Sequence, residues 1–364
     1  MNYGDWLQAA KIERAEDLYQ YPHYEPFPIS AFVNESEVQR LPSQLGIHKE
    51  AFAAGANVAN ANENEILELL KLGASSLFFK NKLDLCSFDK IDFSILRSFF
   101  NKDSWDSKLL KKYSNIHDKI FFLPFETKLE DDKVSLGFSS EEVILAGANK
   151  SLELVYILKS LKRAFDEGFK NVEALHFVFY NDDDFFLDIA KIRAFRFLYQ
   201  ALLNEYGIKH SAPYIHIEAH PCFYQVCEPT NNIFRLSSTI FSAQIGNCQS
   251  FSAFDYAYRQ QSDSKSRRLL ITSQWLLQEE SHLNEVLDAS NGSYFIEDLT
   301  YKLAEYTWTK LLDEDFDVLQ RAKQIQEQRY EDIKEGKKIL LGTNFMANES
   351  HPSDGAFWDA AVKK

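Results

Sequence analysis

The stretch VEALHFVFYNDDDFFLDIAKIRAFRFLYQALLNEYGIKHSAPYIHIEA runs from Val172 to Ala219 and contains one complete structural unit. Residues 172–180 form an apolar run of strand length, and residues 185–207 read as a long helix that stops at Gly207. Residues 212–219 are a second strand. Two strands joined through a helix this long must run parallel, because a parallel pair needs a crossover of a dozen or more residues.

The same rhythm extends in both directions. Upstream, residues 63–72 predict a helix closed by Gly73, with Ile66, Leu67 and Leu70 on one face, followed by a strand at 76–80 and another at 118–125. A helical region ending at Gly168 is apolar at 152, 155, 158, 161 and 165. Downstream come a helix over 230–246, a short strand over 248–254 and a helix over 267–280. Repeated units of this kind, without a glycine-rich dinucleotide turn, favour an α/β fold of the (β/α)8 barrel type over an open nucleotide-binding sheet. The expected division is an arm over 1–45, a barrel over 46–315 and a C-terminal extension over 316–364. The arm contains Pro22, Pro26 and Pro28 between aromatic residues, which predicts extended chain packed on its own domain or on a neighbouring subunit.

Of 364 residues, 45% are hydrophobic, enough for a full core. A net charge of -14 repels phosphate backbones, so nucleic acid is not an expected partner. The N-terminus lacks the basic leader and apolar core of a signal peptide, and no run approaches eighteen apolar residues. A cytoplasmic protein with no membrane span is expected. Cys86, Cys222, Cys227 and Cys248 are too few in a chain this long to suggest a disulfide framework.

Two polar stretches invite a metal. Asp182–Asp183–Asp184 precedes a helix, where aspartate caps free N–H groups, so capping is the preferred reading. In HIEAHPC (216–222), His216, Glu218, His220 and Cys222 alternate onto one strand face. Alternate strand residues lie about 6.6 Å apart, too far for four in a row to share one tetrahedral ion. No metal is expected, and the polar strand end reads instead as part of a ligand mouth.

Order and spacing of several segments then resemble the methylmalonyl-CoA mutase family. They include EESHLNEVLDASNGSYFIEDLTYKLAEYTW (279–308), FFLDIAKIRAFRFLY (185–199), PTNNIFRLSSTIFSAQIGNCQS (229–250), AGANKSLEL (146–154) and KKILLGTNFM (337–346). The first of these predicts a tight turn at Asn291–Gly292, with Asn291 tolerating positive φ, then a strand-like Ser293–Ile296 and an amphipathic helix. The resemblance implies the CoA-thioester-binding barrel of an adenosylcobalamin-dependent mutase that interconverts methylmalonyl-CoA and succinyl-CoA. It carries a CoA-thioester-binding role onto His216, Gln249 and Ser250, and no catalytic residue.

Departures from the family pattern imply a non-catalytic small subunit, represented by its barrel alone. Where catalytic members place Tyr-His shortly before Ala-Gly-Ala, this chain has Glu141–Leu145, and no side chain there donates to a thioester carbonyl. The Asp-x-His-x-x-Gly element of the cobalamin-binding domain does not occur. Adenosylcobalamin is therefore expected on a large catalytic partner subunit. A free-standing CoA-thioester-binding barrel or homodimer is the alternative, and an active mutase borrowing a separate cobalamin-binding chain is a third reading. The aromatic arm is the expected docking element for the large subunit, or for a second copy when that subunit is absent.

Overall fold

The computed structural model describes residues 52–58, 63–81, 96–100, 120–122, 136–169, 175–209, 211–226 and 228–346. Short pieces at 23–30, 33–36, 38–39, 41, 91–92 and 172 complete the description. Eight parallel strands close a barrel in chain order. They are β1 (Ala53–Val58), β2 (Ser76–Phe79), β3 (Arg97–Phe100), β4 (Ile120–Phe122), β5 (Leu136–Ser139), β6 (Leu175–Asn181), β7 (Tyr214–Ala219) and β8 (Ser250–Ser252). The helices over described residues are α1 (Glu63–Lys71), α2 (Glu141–Leu145), α3 (Lys150–Asp166), α4 (Phe185–Glu205), α5 (Asn231–Ile245), α6 (Ser264–Glu279), α7 (Tyr294–Leu311) and α8 (Val318–Lys334).

The period of two along each strand divides the core. Leu77, Phe79, Phe177, Phe179, Ile215, Ile217 and Phe251 face outward and pack beneath the helices with residues such as Phe195, Leu198 and Leu303. The opposite parity fills the barrel. Phe78, Phe99, Val178 and Tyr180 form a second apolar cluster, continuous with Val143, Leu152, Val318 and Ala322.

Closure depends on Gly55. The seam between β1 and β8 pairs Ala53 with Ser250 and Ala54 with Phe251. A Cβ on Gly55 would lie 2.5 Å from the Phe251 carbonyl oxygen and 2.8 Å from that of Ser76. The Gln274 amide of α6 accepts from the Gly55 N–H at 2.9 Å and donates to its carbonyl at 2.8 Å, serving the strand's polar groups where the ladder does not.

The Asn291–Gly292 stretch differs from its sequence reading. Helix α7 begins at Tyr294, so Ser293–Ile296 is a helix start, and Gly292 carries the positive φ of 85° in place of Asn291. A buried charge explains the arrangement. Arg193 of α4 donates to Asp288 and, at 2.7 Å, to Glu297, while the Gly292 N–H donates to the same Glu297 oxygen at 3.2 Å. The turn binds α4 to α7 through a guanidinium whose two terminal nitrogens are both bonded, and its role is structural.

Asp184 stands at the N-cap of α4 but its side chain makes no capping hydrogen bond. The aspartate run is used for ion pairs instead. Asp182 meets Lys150 at 2.7 Å and Asp183 meets Lys338 at 2.8 Å.

The described part of the arm lies on its own barrel. Glu25 accepts from the Lys150 N–H at 2.9 Å and from the Ser151 N–H at 3.3 Å, so its carboxylate covers the N-terminus of α3. The Tyr24 carbonyl accepts from Asn149 at 2.6 Å, and that of Pro28 accepts from Lys302 at 3.0 Å. For residues 23–30 the neighbour expected from sequence is this chain's own α3 and α7, and Tyr21 and Pro22 lie outside the described residues.

Candidate functional site at the barrel mouth

In a barrel of this kind, chemistry is placed at the C-terminal ends of the strands. Among the described residues, the axis below that end is filled by buried side chains. The His216 ring lies 4.1 Å from the Phe99 ring centroid and 5.8 Å from that of Phe78. Its Nδ1 bonds the Ser250 hydroxyl at 2.7 Å and its Nε2 bonds the Ser252 hydroxyl at 2.9 Å. Burial, with Lys80 as a secondary cause, pushes the imidazole well below its ordinary pKa, so the ring is neutral.

The three residues selected by sequence are therefore near one another but not displayed together. His216 and Ser250 touch, and both are fully buried. Gln249 precedes β8, at the opposite end from the mouth, and its Oε1 accepts from the Ile215 N–H at 2.7 Å. All three are engaged with the barrel's own atoms.

Above this layer lies a charged cluster that sequence reading did not assemble. Lys80, one residue past β2, places its ammonium 2.6 Å from Glu218 and 3.1 Å from Glu141. It also lies 3.8 Å from the Phe78 ring centroid and 3.4 Å from the Tyr180 hydroxyl. The Asn57 amide donates to the other Glu218 oxygen at 2.7 Å. Desolvation opposes the charge on Lys80, yet Glu218 and Glu141 more than offset it and raise its pKa above the ordinary value. Lys80 and Glu218 each lie at a strand end, which was the available signal. Their pairing spans 138 residues of chain and is visible only in three dimensions.

Helix α8 packs on α2 and α3 and covers the ends of β6 and β7. A cavity of about 50 Å³ remains there, lined by Asp182, His220, Cys222, Arg329, Ile333 and Leu340 among others. A second cavity, of about 310 Å³, sits at the ends of β1 and β8 beside Asn57, Glu65, Asp255, Tyr258 and Arg267. Among the described residues, no group of three or more His, Cys, Asp or Glu side chains could hold a metal ion. Cys222 and Cys248 are free thiols. No helix among the described residues is long and apolar enough to cross a membrane.

A sequence model of the family described as methylmalonyl-CoA mutase matches residues 90–363, about three quarters of the 364 residues. The chain belongs to the methylmalonyl-CoA mutase family. It is 33% identical over 227 residues to the methylmalonyl-CoA mutase small subunit of Porphyromonas gingivalis, covering 56% of this chain and 37% of that protein. It is 32% identical over 187 residues to a methylmalonyl-CoA mutase of Cereibacter sphaeroides, covering 48% and 26%. The large subunit from Porphyromonas gingivalis is 30% identical over 188 residues, again covering 48% and 26%. The chain thus matches between about a quarter and two fifths of the length of these mutase-family relatives.

Among the described residues, the groups around the cavity under α8 do not fit adenosylcobalamin, which this family implies. Even drug-sized ligands occupy about 300–1,000 Å³, and a corrin is larger still. The space between β6, β7 and α8 is far below that, and the cavity of about 310 Å³ at the ends of β1 and β8 reaches only the bottom of the drug-sized range. Both nitrogens of His216 are bonded to serines, and His220 faces the small cavity closed by α8.

Proposed function

We propose that this chain is a non-catalytic, small-subunit-type barrel of an adenosylcobalamin-dependent methylmalonyl-CoA mutase, working beside a large catalytic subunit that carries the cofactor and the turnover. The observation that carries this reading is the filled axis. A ligand entering along the axis needs room between the strands. This axis holds Phe78, Phe99, Tyr180 and His216, with the Lys80–Glu218 pair above them. Opening a path would break two hydrogen bonds of His216 and strand a buried ion pair, and breaking such a pair alone costs about 3–5 kcal/mol.

On this reading His216, Gln249 and Ser250 are internal scaffold, and the CoA-contacting role that the resemblance assigned to them is not exercised. The absence of a hydrogen-bond donor at Glu141–Leu145 supports the same view.

The test pairs activity with binding. The purified chain, supplied with adenosylcobalamin and methylmalonyl-CoA, is expected to give no succinyl-CoA. Co-expression with its large subunit is expected to give a stable complex that turns over. Calorimetry of the chain alone with methylmalonyl-CoA and with free CoA is expected to show no heat. Turnover by the chain alone overturns the proposal. Saturable heat with CoA in the absence of turnover favours the free-standing CoA-thioester-binding barrel.

A further inference from the structure

The cavity of about 50 Å³ beneath α8, at the ends of β6 and β7, has donors that the proposed function leaves without a role. It is bounded by Asp182 and Asp183 just past β6, His220 just past β7, Arg329 and Ile333 of α8, and Leu340. Its acidic side chains are already paired, Asp182 with Lys150 and Asp183 with Lys338. Its donors are not all paired.

His220 is 3% exposed. Its Nδ1 accepts from the Cys222 N–H at 3.0 Å. A backbone N–H can only donate, so Nδ1 carries no proton, and the proton of the neutral ring sits on Nε2. Burial pushes the His220 pKa down to about 3, so the ring stays neutral in ordinary buffers. The resulting Nε2–H is buried and has no hydrogen-bond partner. The Arg329 Nε–H, from the helix across the cavity, is likewise buried without one. The Arg329 guanidinium stacks on the Tyr24 ring, 4.9 Å from its centroid, which fixes its plane. Two orphaned donors on residues that line one cavity call for an acceptor, since an unmet buried donor is costly.

We propose that this cavity is a binding site for a small carboxylate monoanion of formate or acetate size, held between the His220 Nε2–H and the Arg329 guanidinium. The guanidinium edge matches a carboxylate, and the aliphatic walls of Ile333 and Leu340 accommodate a methyl group. The cavity's volume, about 50 Å³, suits an acid of this size. Occupancy joins the ends of β6 and β7 to α8, so the ligand clamps the C-terminal helix onto the barrel.

Calorimetry and relaxation of 13C-labelled formate and acetate with the full-length chain test the site, with benzoate at equal ionic strength as the size control. Saturable binding of formate or acetate is expected, and none of benzoate. His220→Asn keeps an acceptor for the Cys222 N–H but removes the ring donor, and Arg329→Gln removes the fork. Each is expected to weaken binding at least tenfold while far-UV circular dichroism stays unchanged. Should Arg329→Gln fail to fold, Arg329→Lys keeps the charge and loses the fork, with the same expected weakening. The absence of saturable binding, equal binding of benzoate, or binding indifferent to both substitutions would show that the cavity holds only water and would overturn the proposal.

Discussion

Replacing Glu218 with Gln tests whether the ion pair at the barrel mouth stabilises the filled axis. Glu218 is fully buried, and it faces Lys80 at 2.6 Å and Asn57 at 2.7 Å. Removing one partner of a buried pair leaves an uncompensated charge and costs about 3–5 kcal/mol. Two features reduce that figure for Glu218→Gln. Lys80 keeps Glu141 at 3.1 Å, although the Glu141 side chain is 24% exposed and partly screened. It also keeps the face of Phe78 at 3.8 Å. The expected loss is therefore about 3 kcal/mol, the low end of that range. Lys80→Met leaves the Glu218 carboxylate with only the neutral groups Asn57 and Tyr180, and the expected loss is larger, about 4 kcal/mol. The double variant removes both charges together, so it should be more stable than the sum of the single losses predicts, with a coupling of about 2 kcal/mol. A domain holds about 5–15 kcal/mol in total, so each variant should remain measurable. Urea unfolding followed by tyrosine and tryptophan fluorescence gives the three losses, compared at constant denaturant slope. Single losses below about 1 kcal/mol, or strict additivity in the double variant, would refute a closed, desolvated mouth.

Three further outcomes follow from other contacts. Gly147 joins α2 to α3 at φ 100°, and a Cβ there would collide with Gln326 and lie 3.0 Å from the Ala322 carbonyl oxygen. Gly147→Ala should therefore cost about 2–4 kcal/mol and loosen α8, read by amide exchange over 318–334, and a neutral substitution would contradict the packing. His220 takes its proton near pH 3 when folded but near 6.5 when unfolded, so the unfolded chain binds the extra proton between those values. The stability contributed by the neutral ring is complete above pH 6.5 and is lost on acidification, at about 1.4 kcal/mol per unit. The stability difference between wild type and His220→Asn should accordingly narrow by about 2–3 kcal/mol from pH 6.5 to 4.5, and a pH-independent difference would exclude burial as the cause. Glu25→Ala removes the acceptor from the N-terminus of α3 and should cost about 1–2 kcal/mol, with faster amide exchange over 23–30. Unchanged exchange there would mean the arm is held by other contacts.

The strands that could be read from sequence were those whose residues favour extended chain unaided. SLFF, LHFVFYN and YIHIEA are aromatic or β-branched, and each is bounded by a helix that stops at a glycine with positive φ: Gly73, Gly168 or Gly207. Three strands were missed: β3, which reads RSFF and favours extended chain but is too short to stand out, and two with weak local preference. β1 reads AAGANV and β5 reads LGFS. β1 is extended because β2, β8 and the Gln274 amide satisfy its backbone, information located about 20 to 220 residues away. The aspartate run was misread for a related reason. Its position before a helix indicates capping, but Lys150 and Lys338 arrive from distant parts of the chain and take the carboxylates.

His216 shows why a correct family resemblance and an available site are separate matters. The motif places His216 on β7, on the strand face that points into the barrel, and that placement follows from strand period and chain order alone. Availability depends on what the ring touches. Ser250 and Ser252 occupy its two nitrogens, and Phe99 and Phe78 occupy its faces. A neutral imidazole has only one donor and one acceptor, so a ring bonded on both sides has nothing left for a thioester carbonyl. Freeing it would require removing both serine hydroxyls, as in a Ser250→Ala and Ser252→Ala double variant. Each removal leaves a buried polar ring atom without a partner at a cost of about 1–3 kcal/mol. If the double variant remained as stable as the wild type and bound CoA, the serines would be acting as a latch over a working site. A loss of about 2–5 kcal/mol without CoA binding would establish them as the barrel's internal fastening.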